Sequence, residues 1–188
     1  MSFTRDYLND VKVLIDKLSE DQIELFVNDI LAVWKQKRKL IFMGNGGSSA
    51  TASHIVNDFQ KCLQLDTGVA VKAMCLSDNT PLAFAWANDT EFANVYTPQI
   101  ECWVEPGDLV VGISGSGNSP NILNAVAAAN KLGALTYGLA GFDGGKLADI
   151  AQRVFLVESD SMQRIEDLHM IILHLAFAEV RRRANIVA

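Results

Sequence analysis

Apolar side chains recur at helical spacing through the first part of the chain, from about residue 7 to residue 33. They fall into two successive groups, Leu8, Val11, Leu14, Ile15 and Leu18, then Ile23, Phe26, Val27, Ile30 and Leu31. Between the groups, Ser19 is followed three residues later by Gln22, which is the spacing of an N-terminal capping box. The pattern predicts two helices, or one bent helix, as a lead-in over residues 1–38 that packs on the core or on a partner subunit.

Beyond residue 38, short apolar runs alternate with helical segments. Strands are predicted at 40–43, 69–76, 108–113, 134–140 and 154–157, and helices at 48–63, 81–87, 91–100, 120–132 and 162–183. Such alternation is typical of right-handed crossovers between parallel strands whose two faces are both covered. We therefore expect an α/β fold, a three-layer sandwich with a central parallel sheet of about five strands flanked by helices. Residues 1–188 are expected to form a single domain, with the α/β core and the C-terminal helix at 39–188.

The composition excludes several classes of protein. Of 188 residues, 49% are hydrophobic, which is enough for a packed core and argues against intrinsic disorder. The net charge of −6 does not supply the basic surface that binding to nucleic acid requires. No apolar run approaches the ~18 residues of a membrane span, and charged residues stand where a signal peptide would be apolar. Cys62, Cys75 and Cys102 form neither a CxxC motif nor a disulfide framework, which favours a cytoplasmic protein.

Two turns rich in glycine and serine follow predicted strands and precede predicted helices. The first reads Gly44-Asn-Gly-Gly-Ser-Ser and the second reads Ser114-Gly-Ser-Gly-Asn-Ser. In a parallel sheet both turns lie at the carboxyl edge, where ligands bind. Glycine lets backbone N–H groups approach an anion, helix N-termini favour negative charge, and serine adds uncharged donors. Either turn alone could simply end a strand and cap a helix, but two at the same edge favour a phosphorylated ligand.

Nucleotide cofactors are not expected at these turns. A dinucleotide fingerprint needs a third glycine where the first turn has Ser49 and the second has Pro120. The chain also lacks the G-x-x-x-x-G-K-[ST] motif of phosphate-binding loops in nucleotide hydrolases. The predicted ligand is therefore a small phosphorylated molecule.

Three histidines and the carboxylates near them are the candidates for acid–base chemistry. His54 and Asp58 are four residues apart on the helix after the first turn, which puts them on one face and also suits metal ligands. Glu166 and His174 are eight residues apart on the last helix, separated by ~12 Å of rise. Plainer interpretations exist for both pairs. His54 and Asp58 could share a surface hydrogen bond, and His174, which stands among apolar residues, could be a buried core histidine.

Taken together, the motifs resemble the sugar isomerase (SIS) domain family. The ordered set is Gly44-Asn-Gly-Gly-Ser-Ser, His54, Ala87-Asn-Asp, Gly112-Ile-Ser-Gly-Ser-Gly-Asn-Ser, Gly141-Phe-Asp-Gly-Gly-Lys and Arg164-Ile-Glu-Asp-Leu-His-Met. Within the family, the chain is most similar to the phosphoheptose isomerases, which interconvert sedoheptulose 7-phosphate and a glycero-manno-heptose 7-phosphate. The resemblance implies a SIS/flavodoxin-like fold, aldose–ketose isomerisation through an enediol, and a homotetramer whose sites lie between subunits.

The resemblance also implies roles for individual residues. Asp58 and His174 fall on the catalytic positions, and His54, Asp58, Glu166 and His174 on positions that surround a zinc ion in some members. The residues implied to contact the phosphorylated sugar are Asn45, Gly46, Ser48, Asp89, Ser114, Gly115, Ser116, Ser119 and Gln163.

Four positions depart from the family pattern, and two other functions compete with catalysis. Asp58 replaces a glutamate, Glu166 a glutamine, Gln163 an aspartate and Cys62 an arginine. Some relatives lack the catalytic residues and bind the bacterial replication initiator, and a sugar-phosphate sensor would keep only the serine turn. The histidines together with the acid at residue 58 favour the enzyme.

Overall fold

The computed structural model describes residues 2–187, with side chains described for residues 2–184. Five strands form one sheet in the order β2-β1-β3-β4-β5, and every neighbouring pair is parallel. The strands are β1 (Lys39–Gly44), β2 (Lys72–Cys75), β3 (Leu109–Ser114), β4 (Leu135–Gly141) and β5 (Arg153–Val157). The predicted parallel sheet of about five strands is confirmed.

Helices precede, connect and follow the strands. They are α1 (Phe3–Asp16), α2 (Glu20–Lys35), α3 (Gly47–Asn57), α4 (Leu63–Thr67), α5 (Thr80–Asp89), α6 (Thr97–Trp103), α7 (Pro120–Lys131), α8 (Gly145–Ile150) and α9 (Met162–Val187). The lead-in consists of two helices, and Ser19 caps the second by accepting a hydrogen bond from Gln22 N at 3.3 Å. Over residues 2–187, none of these helices has both the length and the apolar character needed to cross a bilayer.

Side chains alternate along each strand, so the sheet has an apolar layer on each face. On one face, Leu40 and Phe42 of β1 pack with buried residues of α2, α3 and α9. On the other face, Ile41 and Met43 pack with buried residues of α6, α7 and α8. These two cores make the three-layer sandwich that the alternating pattern predicts.

Three predicted elements differ from the structure for identifiable reasons. The predicted helix at 91–100 is instead a 3₁₀ turn (Phe92–Asn94) followed by α6, because Pro98 has no N–H and is accommodated only in a first helical turn. The predicted strand at 69–76 shortens to β2, since Gly68 ends α4 with φ of 72° and the next residues return the chain to the sheet edge. The helix predicted at 48–63 contains a π-helical turn, Asp58–Cys62, between α3 and α4. Helix α8 has no counterpart among the predicted elements.

The strand order has a switch point between β1 and β3. The chain leaves β1 toward β2 on one side of the sheet and then crosses to β3 on the other side of β1. In open α/β sheets, ligands bind in the crevice at the carboxyl ends of the two strands flanking such a point. The two glycine- and serine-rich turns follow β1 and β3, so both lie at this crevice.

Candidate functional site

The second turn, from Ser114 to Ser119, joins β3 to α7 and presents three serine hydroxyls; it is called the serine turn below. Ser114 is buried and donates to Ser119 Oγ at 3.1 Å, while Ser116 Oγ accepts a hydrogen bond from Asn118 N at 3.2 Å. Ser119 is the N-cap residue of α7. The positive end of that helix, with amide groups that have no intrahelical partner, therefore lies within the turn. Hydroxyl donors and a helix N-terminus together suit a phosphate.

Gly117 of the serine turn occupies a position that excludes a side chain, and Gly115 packs closely against a neighbouring methionine. Gly117 has φ of 63°, and a Cβ there would overlap the carbonyl oxygen of Gly144. A Cβ on Gly115 would overlap the sulfur of Met162, the first residue of α9. Gly115 O also accepts a hydrogen bond from Gly141 N at 2.8 Å. The turn is thus held between the chain before α8 and the start of α9, which preorganises its donors.

The first turn is tied to the second by a pair of asparagines. Asn45 and Asn121 exchange two amide hydrogen bonds of 3.0 and 2.9 Å. The hydroxyl of Tyr96 lies 2.5 Å from Gly44 O and 3.3 Å from Asn45 Oδ1, and burial raises the pKa of this tyrosine. Sequence reasoning missed Asn121 and Tyr96. No local signal points to Asn121, because its partner lies 76 residues away along the chain.

His54, Asp58 and His174 converge at the surface between α3 and α9; they are called the histidine cluster below. The Nε2 atoms of the two histidines are 2.8 Å apart, and Asp58 Oδ2 lies 3.6 Å from each. The three ligand atoms all lie within 4.8 Å of one another. His54 and Asp58 are too far apart for the surface hydrogen bond of the plainer interpretation, and a histidine from another helix completes a three-residue group.

His169, rather than His174, is the buried core histidine of α9. The side chain of His174 is 46% exposed, whereas His169 is 1% exposed. His169 Nε2 lies 3.2 Å from Ala140 O at the end of β4. The interpretation of His174 as a core residue is wrong, because its face of α9 turns toward α3 and solvent.

Glu166, the fourth residue implied for the zinc site, lies outside the histidine cluster. It is eight residues before His174 on α9, and the ~12 Å of rise between them keeps its carboxylate away. The carboxylate lies instead beside Gly47, the first residue of α3. The structure thus brings three of the four implied zinc ligands together.

A π-helical turn begins directly after α3, at Asp58. Such turns are frequent at functional sites. Asp58 itself is 17% exposed, and its Oδ1 accepts a hydrogen bond from Asn57 Nδ2 at 3.4 Å. The carboxylate is therefore held with its other oxygen toward the two histidines.

The remaining implied contact residues are spread along the crevice. Ser48 is buried in the first turn of α3. Gln163 is exposed at the start of α9, next to the Met162 side chain that packs against the serine turn. Asp89 is exposed at the end of α5, where its carboxylate accepts a hydrogen bond from Asn88 at 2.9 Å. The structure places Ser48 and Gln163 beside the two turns and Asp89 at the end of a neighbouring helix.

A cavity of about 300 Å³ opens beside the first turn. Its polar wall is backbone and hydroxyl, and its apolar wall comes from α5 and the 3₁₀ turn. The lining residues are Gly44, Asn45, Gly46, Ser49, Ser77, Thr80, Ala83, Phe84, Ala87, Phe92 and Tyr96. The crevice therefore offers space for a ligand next to the turns as well as donors within them.

Comparison with known proteins decides the family. The model of the SIS domain matches residues 6–141, which include both turns, the histidine-bearing α3 and the first four strands. The chain belongs to the SIS domain family. The match ends before α9, so His174 comes from the part of this SIS domain that the family model does not cover.

Relatives of this SIS domain extend the comparison. The phosphoheptose isomerase of Crocosphaera subtropica is 37% identical over 152 residues, covering 81% of this chain and 77% of the relative. The phosphoheptose isomerase of Geotalea daltonii is 39% identical over 138 residues, covering 73% and 71%. The solved structure of phosphoheptose isomerase from Neisseria gonorrhoeae superposes with a TM-score of 0.85 at 27% identity, covering 94% of this chain and 95% of that one.

We expect the buried histidine to make the stability of this SIS domain depend on pH. Burial lowers the pKa of His169 from 6.5 to about 4, against the smaller opposing effect of its bond to Ala140. Below pH 6.5, His169 binds a proton in the unfolded chain. In the folded chain it stays neutral down to about pH 4, so acid favours the unfolded state. We therefore expect the free energy of unfolding to fall between these pH values by up to roughly 3 kcal/mol.

Chemical denaturation at pH 7 and pH 4.5 measures this effect, with His169→Gln as the comparison because its amide nitrogen can still donate to Ala140. The variant should lose less stability on acidification than the wild type. An equal loss in the two proteins would remove His169 as the cause.

Proposed function

We propose that this protein is a sugar-phosphate aldose–ketose isomerase that converts sedoheptulose 7-phosphate to a glycero-manno-heptose 7-phosphate. The observation that carries the proposal is the convergence of His54, Asp58 and His174. They come from α3, from the π-helical turn that follows it and from α9, and both helices begin beside the phosphate-suited turns. Relatives that cover most of this chain are phosphoheptose isomerases, which supports the same substrate class here. A non-catalytic binding protein would need neither the acid nor the base.

The serine turn would hold the phosphate and leave the other end of the sugar free to reach the acid–base groups. Ser116 and Ser119 donate to phosphate oxygens, and the N-terminus of α7 stabilises their charge. Uncharged donors fit this role because they orient the dianion without a strong ion pair to break at product release. Binding of the phosphate thus positions carbons 1 and 2 of the sugar at the acid–base groups.

Isomerisation moves one proton between adjacent carbons. Asp58 takes the proton from carbon 1 of the ketose, the electron pair of that C–H bond forms the C1–C2 double bond, and His174 gives a proton to the carbonyl oxygen on carbon 2. The resulting enediol returns the hydroxyl proton of oxygen 1 to His174 as the C1 carbonyl forms. Asp58 then delivers its proton to carbon 2, so no atom or electron is gained or lost.

The short side chain at residue 58 restricts where its carboxylate can meet the substrate. Aspartate holds its oxygens about one methylene farther back than the glutamate of the family, and ~1 Å of misplacement can cost about 100-fold in rate. Asp58 is the first residue of the π-helical turn, and His174 Nε2 lies 3.6 Å from its Oδ2. These two features fix the position from which the shorter carboxylate can take a proton.

The donor set of the histidine cluster fits zinc. Two imidazole nitrogens and one carboxylate oxygen are the ligands of many catalytic zinc sites, which keep the fourth position open. His54, Asp58 and His174 would hold the ion, whereas Glu166 lies too far away in this structure. When bound through these Nε2 atoms, zinc would take the place of the His174 proton in polarising the substrate carbonyl.

A panel of ketose and aldose phosphates of five to seven carbons tests the proposal, assayed with added zinc and with a chelator. We expect turnover of sedoheptulose 7-phosphate to exceed that of the shorter sugars. If no sugar of the panel is turned over under either condition, the proposal is contradicted. A preference for a six-carbon substrate would show that the reaction is right and the proposed sugar is wrong.

We also propose that the protein assembles as a homotetramer through the outer face of α1. This helix contributes no buried side chain, and polar contacts such as Tyr7 with Asp167 attach it to α9. Val11 and Leu14 pack partly on the core, but other apolar side chains are exposed, with Phe3 81% and Leu8 55% accessible. An amphipathic helix whose apolar face is uncovered in one chain is typical of an interface between chains.

Leu8→Glu should therefore dissociate the assembly, because it puts a charge into an apolar interface. Asn9→Glu adds the same charge on a polar position of the same helix and is the control. Light scattering at micromolar concentration should give four chains for the wild type and the control and fewer for Leu8→Glu. A monomeric wild type would contradict the proposal.

A further inference from the structure

A groove of about 680 Å³ opens at the edge of the sheet where the strands begin, between the end of α2 and the start of β2. Its floor is apolar and is formed by Leu31 and Trp34 of α2 and by Val69 and Ala70 before β2. The crevice with the two turns lies at the opposite edge, and the six residues of β1 separate the two edges by ~20 Å. The groove is therefore distinct from the candidate site for the sugar phosphate, and its volume is in the range of small-molecule sites.

The polar side chains of the floor already have partners within the protein. Trp34 Nε1 donates to Ala70 O at 3.3 Å, so the indole has no donor left for a ligand. Thr67 Oγ1 donates to Leu63 O at 2.7 Å and accepts a hydrogen bond from Val69 N at 3.2 Å. The floor therefore favours an alkyl chain over a sugar or a nucleotide base, whose polar edges need hydrogen-bond partners.

The rim of the groove is cationic. Its charged side chains are Lys35, Lys37, Arg38, Lys72 and Arg183, and no aspartate or glutamate is among the described residues that line it. Arg38 lies 3.5 Å from Glu105, and Arg183 pairs with Glu24, but within residues 2–184 the three lysines form no ion pair. Five of the 16 basic residues of a chain with net charge −6 thus meet at one groove. Such a concentration of charge attracts an anion.

Lys37 has a backbone conformation that disfavours its side chain. Its φ is 57°, in the left-handed region, and the next amide, Arg38 N, donates to Val33 O at 2.9 Å to close the end of α2. Glycine is usual at such a position because it has no Cβ to collide with the backbone. Lysine at 37 therefore strains the end of the helix while it adds a charge to the rim of the groove.

We propose that this groove binds a single-chain fatty acid, with the alkyl chain on the apolar floor and the carboxylate among the lysines of the rim. A free acid fits better than a membrane, because the apolar side chains line a concave surface that can hold one chain. Association with a bilayer instead uses an apolar face that projects into the lipid. The proposal does not depend on the proposed isomerase function.

Calorimetry with octanoate, decanoate and dodecanoate, each below its micelle concentration, tests the site. Affinity should rise by about 10-fold for every two methylene groups added, as burial of an alkyl chain requires. Decanol, which has the chain without the charge, should bind about 10-fold more weakly than decanoate. Affinity that does not rise with chain length, or equal affinity for decanol and decanoate, would overturn the proposal.

Two variants of the groove separate binding from folding. Lys37→Gly removes one charge and relieves the strained backbone, so decanoate affinity should fall by about 3- to 5-fold while the melting temperature does not fall. Val69→Glu puts a carboxylate on the floor and should abolish binding, whereas the fold should persist because Val69 is 56% exposed. Lys131→Gln, which removes an exposed cation at the end of α7, is the control. Wild-type affinity in either groove variant would overturn the proposal.

Three further measurements distinguish the fatty acid from other occupants. In light scattering, decanoate should leave the mass of the assembly unchanged, and dissociation would assign the groove to a second chain. In flotation with phosphatidylglycerol vesicles the protein should stay unbound, and binding that Val69→Glu abolishes would assign the groove to a membrane. The double variant Ser116→Ala with Ser119→Ala should bind decanoate like the wild type, and a loss would place the acid in the crevice. Each of these contrary results would overturn the proposal, whereas decanoate binding by a protein without isomerase activity would uphold it.

Discussion

Replacing Asp58 with asparagine, or His174 with alanine, should abolish turnover while leaving the fold and phosphate affinity nearly intact. General acid–base groups contribute typically ~10²–10⁴-fold each, and the two groups act in the same proton transfer. Stability should change little, because His174 is about half exposed and asparagine keeps the shape of Asp58. Turnover, thermal unfolding and calorimetric titration with a sugar phosphate measure the three properties separately.

Two further variants sharpen this result. Asp149→Asn removes an exposed carboxylate on α8 and should leave turnover unchanged. Asp58→Glu restores the longer side chain of the family and should keep activity well above that of Asp58→Asn. If activity in His174→Ala fell only in proportion to folded protein, His174 would be structural and the catalytic role would fail.

Changes to the serine turn should strongly weaken sugar-phosphate binding. Ser116→Ala with Ser119→Ala removes two hydroxyl donors, each worth ~1.5–3 kcal/mol when bonded to a charged group, so affinity should fall by about 100-fold or more. Gly117→Ala should be as damaging without removing a donor, because its Cβ would overlap Gly144 O and its φ of 63° disfavours a side chain.

Calorimetry with sedoheptulose 7-phosphate and with inorganic phosphate measures both effects. Thr4→Ala, on the exposed surface of α1, serves as the control for loss of a hydroxyl. Wild-type affinity in the double serine variant would place the phosphate elsewhere and leave the turn with a purely structural role.

The layer structure of the fold could be predicted because a buried parallel strand is a continuous apolar run. All six residues of β3, Leu109–Ser114, are buried, and the run ends at the serine turn where the sheet ends. The predicted length of the edge strand β2 is too great because it, too, was inferred from an apolar run. Apolar residues such as Val69 lie beyond the part of the strand that pairs with β1. Apolar character shows that a segment can be buried, but pairing depends on the neighbouring strand.

The site was predictable where residue type and spacing carry the chemistry. The i, i+4 spacing of His54 and Asp58 put them on one face, and the structure brings His174 to that face from α9. The pairing of Asn45 with Asn121 and the contact of Glu166 with Gly47 were not predictable. Both join segments more than 70 residues apart, and their geometry depends on how the helices pack on the sheet.

Incorporation of solvent deuterium is the most direct test of the central claim that Asp58 and His174 move a proton between the two carbons of a sugar phosphate. In D₂O, with and without zinc, proton NMR of sedoheptulose 7-phosphate should show loss of a carbon-1 proton with the wild type. The aldose product should carry deuterium at carbon 2, because Asp58 is partly exposed and the proton it carries exchanges with solvent. Asp58→Asn should show neither signal while still binding the sugar phosphate. Absence of both exchange and aldose product with the wild type, under conditions where calorimetry shows that the sugar phosphate is bound, would contradict the account and leave a binding protein.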